Sequence, residues 1–216
     1  MALTWPLAVD EFFAGLPIQK ISFQLGRAQT QSETGGGEMI RHGMGTRLWR
    51  GTVVLDKETH AYWAAVEARL ALLEQPGASL LLWDTRMTGT LKDPGLTILG
   101  ASSPVIDDLA ANNRELDISG LPANYEISRG DLLGFTYGSN PTRYAYHRVV
   151  TGDVANLSGV ARNIEVIPYI RPGAQIGAAV SLGTPVLKAI IPSADYGESR
   201  ATLSQGGSFD WVQTLR

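Results

Sequence analysis

Ala201-Thr-Leu-Ser-Gln-Gly-Gly-Ser-Phe-Asp-Trp-Val-Gln-Thr-Leu-Arg216 reads as a strand, a Gly-Gly turn and a last strand that runs to the end of the sequence. A terminal segment held inside a sheet is a closing seam, because its pairing partners were laid down much earlier. The middle of the chain then becomes an insertion within a first unit rather than a unit appended after it.

Working outward, Ile18 to Leu25 alternates with Ile21, Phe23 and Leu25 on one face, the period of a half-buried strand. Gln29 to Gly45 is polar and holds Gly35-Gly36-Gly37, which predicts a long hairpin or a mobile arm. Arg47 to Leu55 returns to alternation, with Leu48, Gly51 and Val53 set against Trp49, Thr52 and Val54. Asp56 is the expected helix cap. Within Lys57 to Glu74 the helical spacing of Tyr62, Trp63, Val66, Leu70 and Leu73 predicts one packed helix, stopped by Pro76-Gly77. Ser79 to Asp84 is a short apolar run, expected as a buried strand beneath that helix.

From about Thr97 the texture changes to short strand candidates separated by Gly, Pro and Asn. Strands are expected over Arg114 to Gly120, Tyr125 to Ser128, Leu132 to Tyr137, Tyr144 to Gly152, Val160 to Ile167 and Pro185 to Ile191. The expected fold is therefore mainly β: a sandwich with one packed α-helix from residues 1–100 and 185–216, and a small barrel or sandwich inserted at 101–184. No internal repeat of fixed period is visible.

Composition narrows the function classes. The chain has 216 residues, 44% hydrophobic and 18% charged, enough for one large core or two small ones. A net charge of -3 gives no basic footprint for gripping nucleic acid, although DNA can slide through a neutral or acidic passage. The absence of cysteine excludes disulfide frameworks and thiol chemistry. The start, Met1-Ala-Leu-Thr-Trp-Pro-Leu7, lacks a signal-peptide pattern and no apolar run reaches membrane-spanning length, so a soluble protein is expected.

The search for chemistry returns no catalytic, cofactor-binding or metal site. His42, His60 and His147 lack the spacing of a zinc helix, and their ordinary roles are surface or packing. Gly35-Gly36-Gly37 lacks the Lys-Ser/Thr that follows a phosphate cradle. Asp107-Asp108 is expected in a solvated turn, because neighbours on extended chain face opposite ways. Arg129-Gly-Asp131 is expected to turn the chain before Leu132 rather than to display an adhesion motif. Trp49, Trp63, Trp83 and Trp211 are expected in the core rather than on a sugar-binding face.

Four stretches carry a family resemblance: Gly130-Asp-Leu-Leu-Gly-Phe-Thr-Tyr137, Tyr146-His-Arg-Val-Val150, Ile164-Glu-Val-Ile-Pro-Tyr-Ile-Arg-Pro172 and Gly177-Ala-Ala-Val180. They are similar to a pattern of tailed-bacteriophage tail-tip proteins. Gly43-Met-Gly-Thr-Arg-Leu-Trp-Arg-Gly-Thr-Val-Val-Leu55, the Ala-rich helix after it and Leu81-Leu-Trp-Asp84 resemble the ring-forming part of siphophage distal tail proteins, and Gln205 to Arg216 resembles its closing hairpin. The resemblance implies a tail-tube-like sandwich assembled as a hexameric ring at the virion tail tip, with the inserted unit facing outward. Implied partners are the tail tube protein, the baseplate hub protein, the tape measure and receptor-binding or side-fibre proteins. DNA would pass through the lumen without sequence-specific contact. Expected subunit-interface residues are Trp5, Phe12, Phe13, Gly35, Gly36, Gly37, Met39 and Ile40, with Leu3 to Leu7 and Phe12-Phe13 expected to pack either on their own subunit or on an adjacent one. Other classes consistent with the composition are a carbohydrate-binding or wall-targeting module of the tail tip, and a tail tube or tail completion protein.

Overall fold

In the computed structural model, which describes residues 3–199 and 203–216, 41% of the chain is strand and 8% helical. The fold is mainly β with one α-helix. A 3-10 turn at Phe13–Gly15 leads into β1 (Ile18–Ile21) and β2 (Gln24–Leu25). Next come β3 (Gln29–Glu33), β4 (Met39–Gly43), β5 (Trp49–Leu55), α1 (His60–Leu73) and β6 (Leu80–Leu82). The middle of the chain supplies β7 (Val105–Leu109), β8 (Glu115–Ser119), β9 (Glu126–Ile127) and β10 (Leu132–Tyr137). It continues with β11 (Arg143–Thr151), β12 (Asp153–Val154), β13 (Ala161–Ile167) and β14 (Val180–Ser181). β15 (Leu187–Asp195) and β16 (Ser208–Gln213) close the chain.

β16 lies inside a sheet ordered β1-β5-β16-β15-β6, with β2 also paired to β5. Its register sets Phe209 opposite Val53 and Trp211 opposite Gly51 on one side, and Ser208 opposite Asp195 on the other. The strand expected at the start of the closing hairpin, from Ala201, lies partly outside the described residues, and the partner that β16 takes is β15. Gly206 is not a simple hairpin turn. It crosses the backbone of β5 so closely that a Cβ would come within 1.9 Å of the Leu55 carbonyl oxygen. Close approach of two backbones is the physical reason for glycine there.

Alternation in β5 runs Trp49, Gly51, Val53, Leu55 inward, with Arg50 exposed, which corrects the expected grouping that put Leu48 on the face of Gly51 and Val53. The expected first strand is broken into β1 and β2 at Ser22-Phe23, where Gly51 makes room: a Cβ on it would sit 1.8 Å from the Ser22 carbonyl oxygen.

α1 starts almost a full turn later than expected. Thr59, in extended conformation, is the N-cap and its Oγ1 accepts from the Tyr62 amide, whereas Asp56 Oδ1 accepts from the next amide, Lys57. Asp56 and Glu58 are still held to distant segments, Asp56 N–H to the Pro17 carbonyl and Glu58 to Ser204 by a pair of backbone bonds, and so stay outside the helix. Trp63, Val66, Leu70 and Leu73 form its buried face and pack in one cluster with Val53, Leu80, Leu82, Leu187 and Trp211. Each such side chain contributes roughly 1.5–3 kcal/mol on burial.

The second sheet is ordered β14-β10-β11-β13-β8-β7. Its two edges are drawn together: Gly177 N–H donates to the Ile106 carbonyl (2.8 Å), Ile106 N–H to Ala178 (3.0 Å) and Val180 N–H to Pro104 (2.8 Å). This curls the sheet around a cluster that includes Ile118, Leu133, Phe135, Val149, Ile164 and Val180, and the contact covers part of each edge. Asp107-Asp108 is not a turn. Both residues lie in β7, where an irregular register sets two consecutive side chains outward, as a bulge does.

β10 and β11 are buried on both faces. Leu133, Phe135 and Val149 enter the second cluster, while Leu132 and Tyr146 point the other way into the first. The two clusters share this strand pair.

Candidate functional site

β3 and β4 pair from Gln29↔Gly43 to Glu33↔Met39 and, among the described residues, with no other strand. Every residue of both strands is exposed. The Gly-rich excursion is thus an ordered hairpin arm. Its tip is closed by Thr34, whose amide donates to Glu38 O (2.8 Å) and whose Oγ1 accepts from the Glu38 amide (3.1 Å). Gly35, Gly36 and Gly37 form the exposed tip. Its base is tied by Met44 N–H to Ala28 O (2.7 Å) and by Arg47 Nε to Gly26 O (3.0 Å).

Met39 and Ile40 are 55% and 41% exposed, and as neighbours on a strand they face opposite sides of the ribbon. Met44, 69% exposed, adds a third large apolar side chain at the base. An isolated two-stranded ribbon is marginally stable in water, so such a ribbon gains when a partner covers it. Methionine adapts to irregular partner surfaces because its side chain is unbranched and polarisable.

The N-terminal residues divide. Trp5 is 39% exposed and remains a surface candidate. Phe12 and Phe13 are buried in the chain's own core, Phe12 with its ring 6.4 Å from that of Phe209, so of the two expected placements the structure shows packing on their own subunit, and both leave the set of interface residues. Leu7 docks on β6 through Leu7 N–H to Ser79 O and Leu81 N–H to Leu7 O, both 2.9 Å, and the turn that follows folds the two phenylalanines beneath the sheet.

The titratable residues noted in the sequence stay apart. His42 is exposed on β4, and His60 Nδ1 lies 2.8 Å from Ser204 Oγ. His147 is buried, stacks on Phe135 at 5.5 Å and donates from Nδ1 to the Pro168 carbonyl at 2.8 Å. Burial, with a smaller contribution from the charge of Arg171, brings its pKa from 6.5 to about 4, so the ring is neutral at pH 7. Asp131 is buried, accepting from the Leu91 and Ser128 amides at 2.7 Å each, and cannot be displayed as part of an adhesion motif. Burial pushes its carboxyl up against the opposing pull of those two amides. Trp49, Trp63 and Trp211 are buried and Trp83 is half-buried. Among the described residues no three His, Cys, Asp or Glu side chains are grouped to hold a metal ion, and no helix is long and apolar enough to cross a membrane.

Two features were missed by sequence reasoning. One is the seam between the sheets. Trp49 Nε1 donates to Tyr146 O (2.8 Å), and Gln213 accepts from the Trp49 amide (3.2 Å) while reaching the Tyr144 carbonyl (3.5 Å). Tyr146 meets Trp49 edge-on at 5.4 Å and stacks with Phe23 at 5.7 Å. The other is a cleft of about 360 Å³ at the base of the arm, where Gly45, Thr46 and Arg47 face the Pro168-Tyr-Ile-Arg-Pro172 segment. The bracketing prolines around Arg171 were its only signal in the sequence.

No protein-family model and no curated protein matches this chain.

Proposed function

We propose that this chain is a structural ring subunit of a bacteriophage tail tip, of the distal tail type, joining the tail tube to the baseplate hub around the DNA passage. The observation that carries this reading is the hairpin arm: an ordered ribbon with Met39 and Ile40 on opposite faces, standing off a body whose two sheets are locked by the Trp49–Tyr146–Gln213 seam. A ring subunit needs a firm body and an element that reaches its neighbour, and a surface ribbon offers both backbone and side-chain contacts to the adjacent copy. The edge strand β1 provides a second place for a neighbouring chain to pair. The family resemblance supplies the expected order of six and the expected partners, the tail tube, hub, tape measure and receptor-binding or side-fibre proteins.

The test is the native mass and negative-stain image of the purified protein, alone and mixed with its cognate tube and hub proteins. Rings with a central hole in either sample are the expected result. Monomers under both conditions would overturn the proposal.

A further inference from the structure

Arg171 is a half-buried cation without a carboxylate partner. Among the described residues the ion pairs are Arg86–Asp84 (2.6 Å) and Lys92–Glu126 (3.8 Å), and neither involves the cleft at the base of the arm. A guanidinium carries five N–H donors. Arg171 uses one in a long bond from a terminal nitrogen to the Arg47 carbonyl, 3.4 Å. The titratable groups acting on it are neutral at pH 7: burial raises the Tyr137 phenol, and His147 has its pKa near 4. Arg143 also acts on Tyr137, adding positive charge to the neighbourhood rather than balancing it. Burial lowers the pKa of Arg171, the direction expected for a cation partly withdrawn from water with no anion beside it.

The surroundings are those of a binding cleft. Arg47 lines it with its Nε bound to Gly26 O, which fixes the side chain and leaves its terminal nitrogens to donate. Thr46, Pro168, Tyr169 and Pro172 complete the wall, and the lining contains no carboxylate. Tyr169 is 54% exposed and has the Arg114 guanidinium over its ring at 4.7 Å. The volume of about 360 Å³ falls at the small end of ligand pockets. On a chain with a net charge of -3, this is a local concentration of arginine.

We propose that this cleft is an oxyanion site, in which the Arg171 and Arg47 guanidinium groups hold a carboxylate or phosphate group and Tyr169 forms a flat wall for whatever carries it. Arginine suits that chemistry because its planar fork matches both groups. The site stands independently of the assembly proposed above. Two sources of the anion fit a cleft of this size, free inorganic phosphate and an acidic sugar, and the experiment separates them.

Isothermal titration calorimetry of the full chain with sodium phosphate, sodium glucuronate and glucose, at ionic strength held constant with chloride, tests it. At least one anion is expected to saturate while glucose does not. The same anion should bind about tenfold or more weakly to Arg171→Gln, since each charge-assisted hydrogen bond lost from a desolvated site is worth at least that factor. Arg47→Gln, an exposed position that tolerates change, should weaken it in the same direction. Lys92→Gln, which removes an equal charge outside the cleft, should leave it unchanged. Saturation by phosphate alone assigns the site to phosphate, and tighter binding of glucuronate assigns it to an acidic sugar. Absence of saturation by either anion, undiminished binding in both arginine variants, or equal loss in Lys92→Gln would overturn the proposal.

Discussion

His147 ties the stability of this protein to mild acid. Its ring is buried against Phe135, its Nδ1–H is spent on the Pro168 carbonyl, and its Nε2 is buried without a partner. Protonation would place a second charge in a region that already holds Arg171. With the folded value near 4 and the unfolded value near 6.5, the unfolded chain binds more protons throughout that interval. Stability from this residue is therefore complete above the unfolded value and is lost as pH falls through the window. Linkage gives a loss of about 2 kcal/mol between pH 7 and pH 5, rising to about 3 kcal/mol by pH 4. Urea denaturation at pH 7, 6 and 5, for the native sequence and for His147→Phe, isolates the effect. Phenylalanine keeps the stacking on Phe135 and removes the titration, although it also leaves the Pro168 carbonyl unpaired and so lowers stability at every pH. The quantity that matters is the difference in pH slope, because Asp131 and the other carboxylates are common to both proteins. The native sequence should lose about 2 kcal/mol more than the variant on going from pH 7 to pH 5. Parallel slopes would refute the burial argument.

Trp63→Ala should cost about 3–5 kcal/mol by the same denaturation assay, because the ring is fully enclosed between α1 and the first sheet; an unchanged midpoint would remove α1 from the core. Gly51→Ala should destabilise by about 3 kcal/mol or prevent folding, since its Cβ would collide with the Ser22 carbonyl and the Trp211 ring. A melting temperature equal to that of the native protein would show that β1 and β5 do not cross there as described. The double variant Met39→Lys, Ile40→Lys should leave subunit stability within about 0.5 kcal/mol, as both residues are exposed, while reducing assembly in mass measurements. Unaltered assembly would take the arm out of the interface.

Much of this fold was legible because its elements obey simple periods. α1 showed in the spacing of Trp63, Val66, Leu70 and Leu73, and the strands from Leu132 to Ile167 showed in their turns. Its cap was misplaced because Asp56 and Thr59 are both good capping residues, and only the tertiary bonds of residues 56–58 choose between them. β7 was missed because a bulge turns both Asp107 and Asp108 outward, which erases the alternation that marks a strand. Phe12 and Phe13 could be read as packing on their own subunit or on a neighbour because they precede the first strand, and the three-residue turn that folds them inward has no strong signal of its own. The hairpin arm was visible as a Gly-rich polar interruption. The arginine cleft was not, because Arg47 and Arg171 are brought together only by folding.

The position of β16 between β5 and β15 has a consequence for how the protein comes off the ribosome. The second sheet draws all its strands from one continuous stretch, β7 to β14, and every partner it needs has emerged before β15 is made. The first sheet cannot close on that schedule. β5 must wait, one long edge unpaired, for a central strand that is translated after all its sheet partners, and an open edge is the part of a growing chain most prone to stray pairing. Synthesis therefore makes an order available that the sequence of elements does not suggest: β7 to β14 have all their sheet partners before β5 and β15 gain β16 between them.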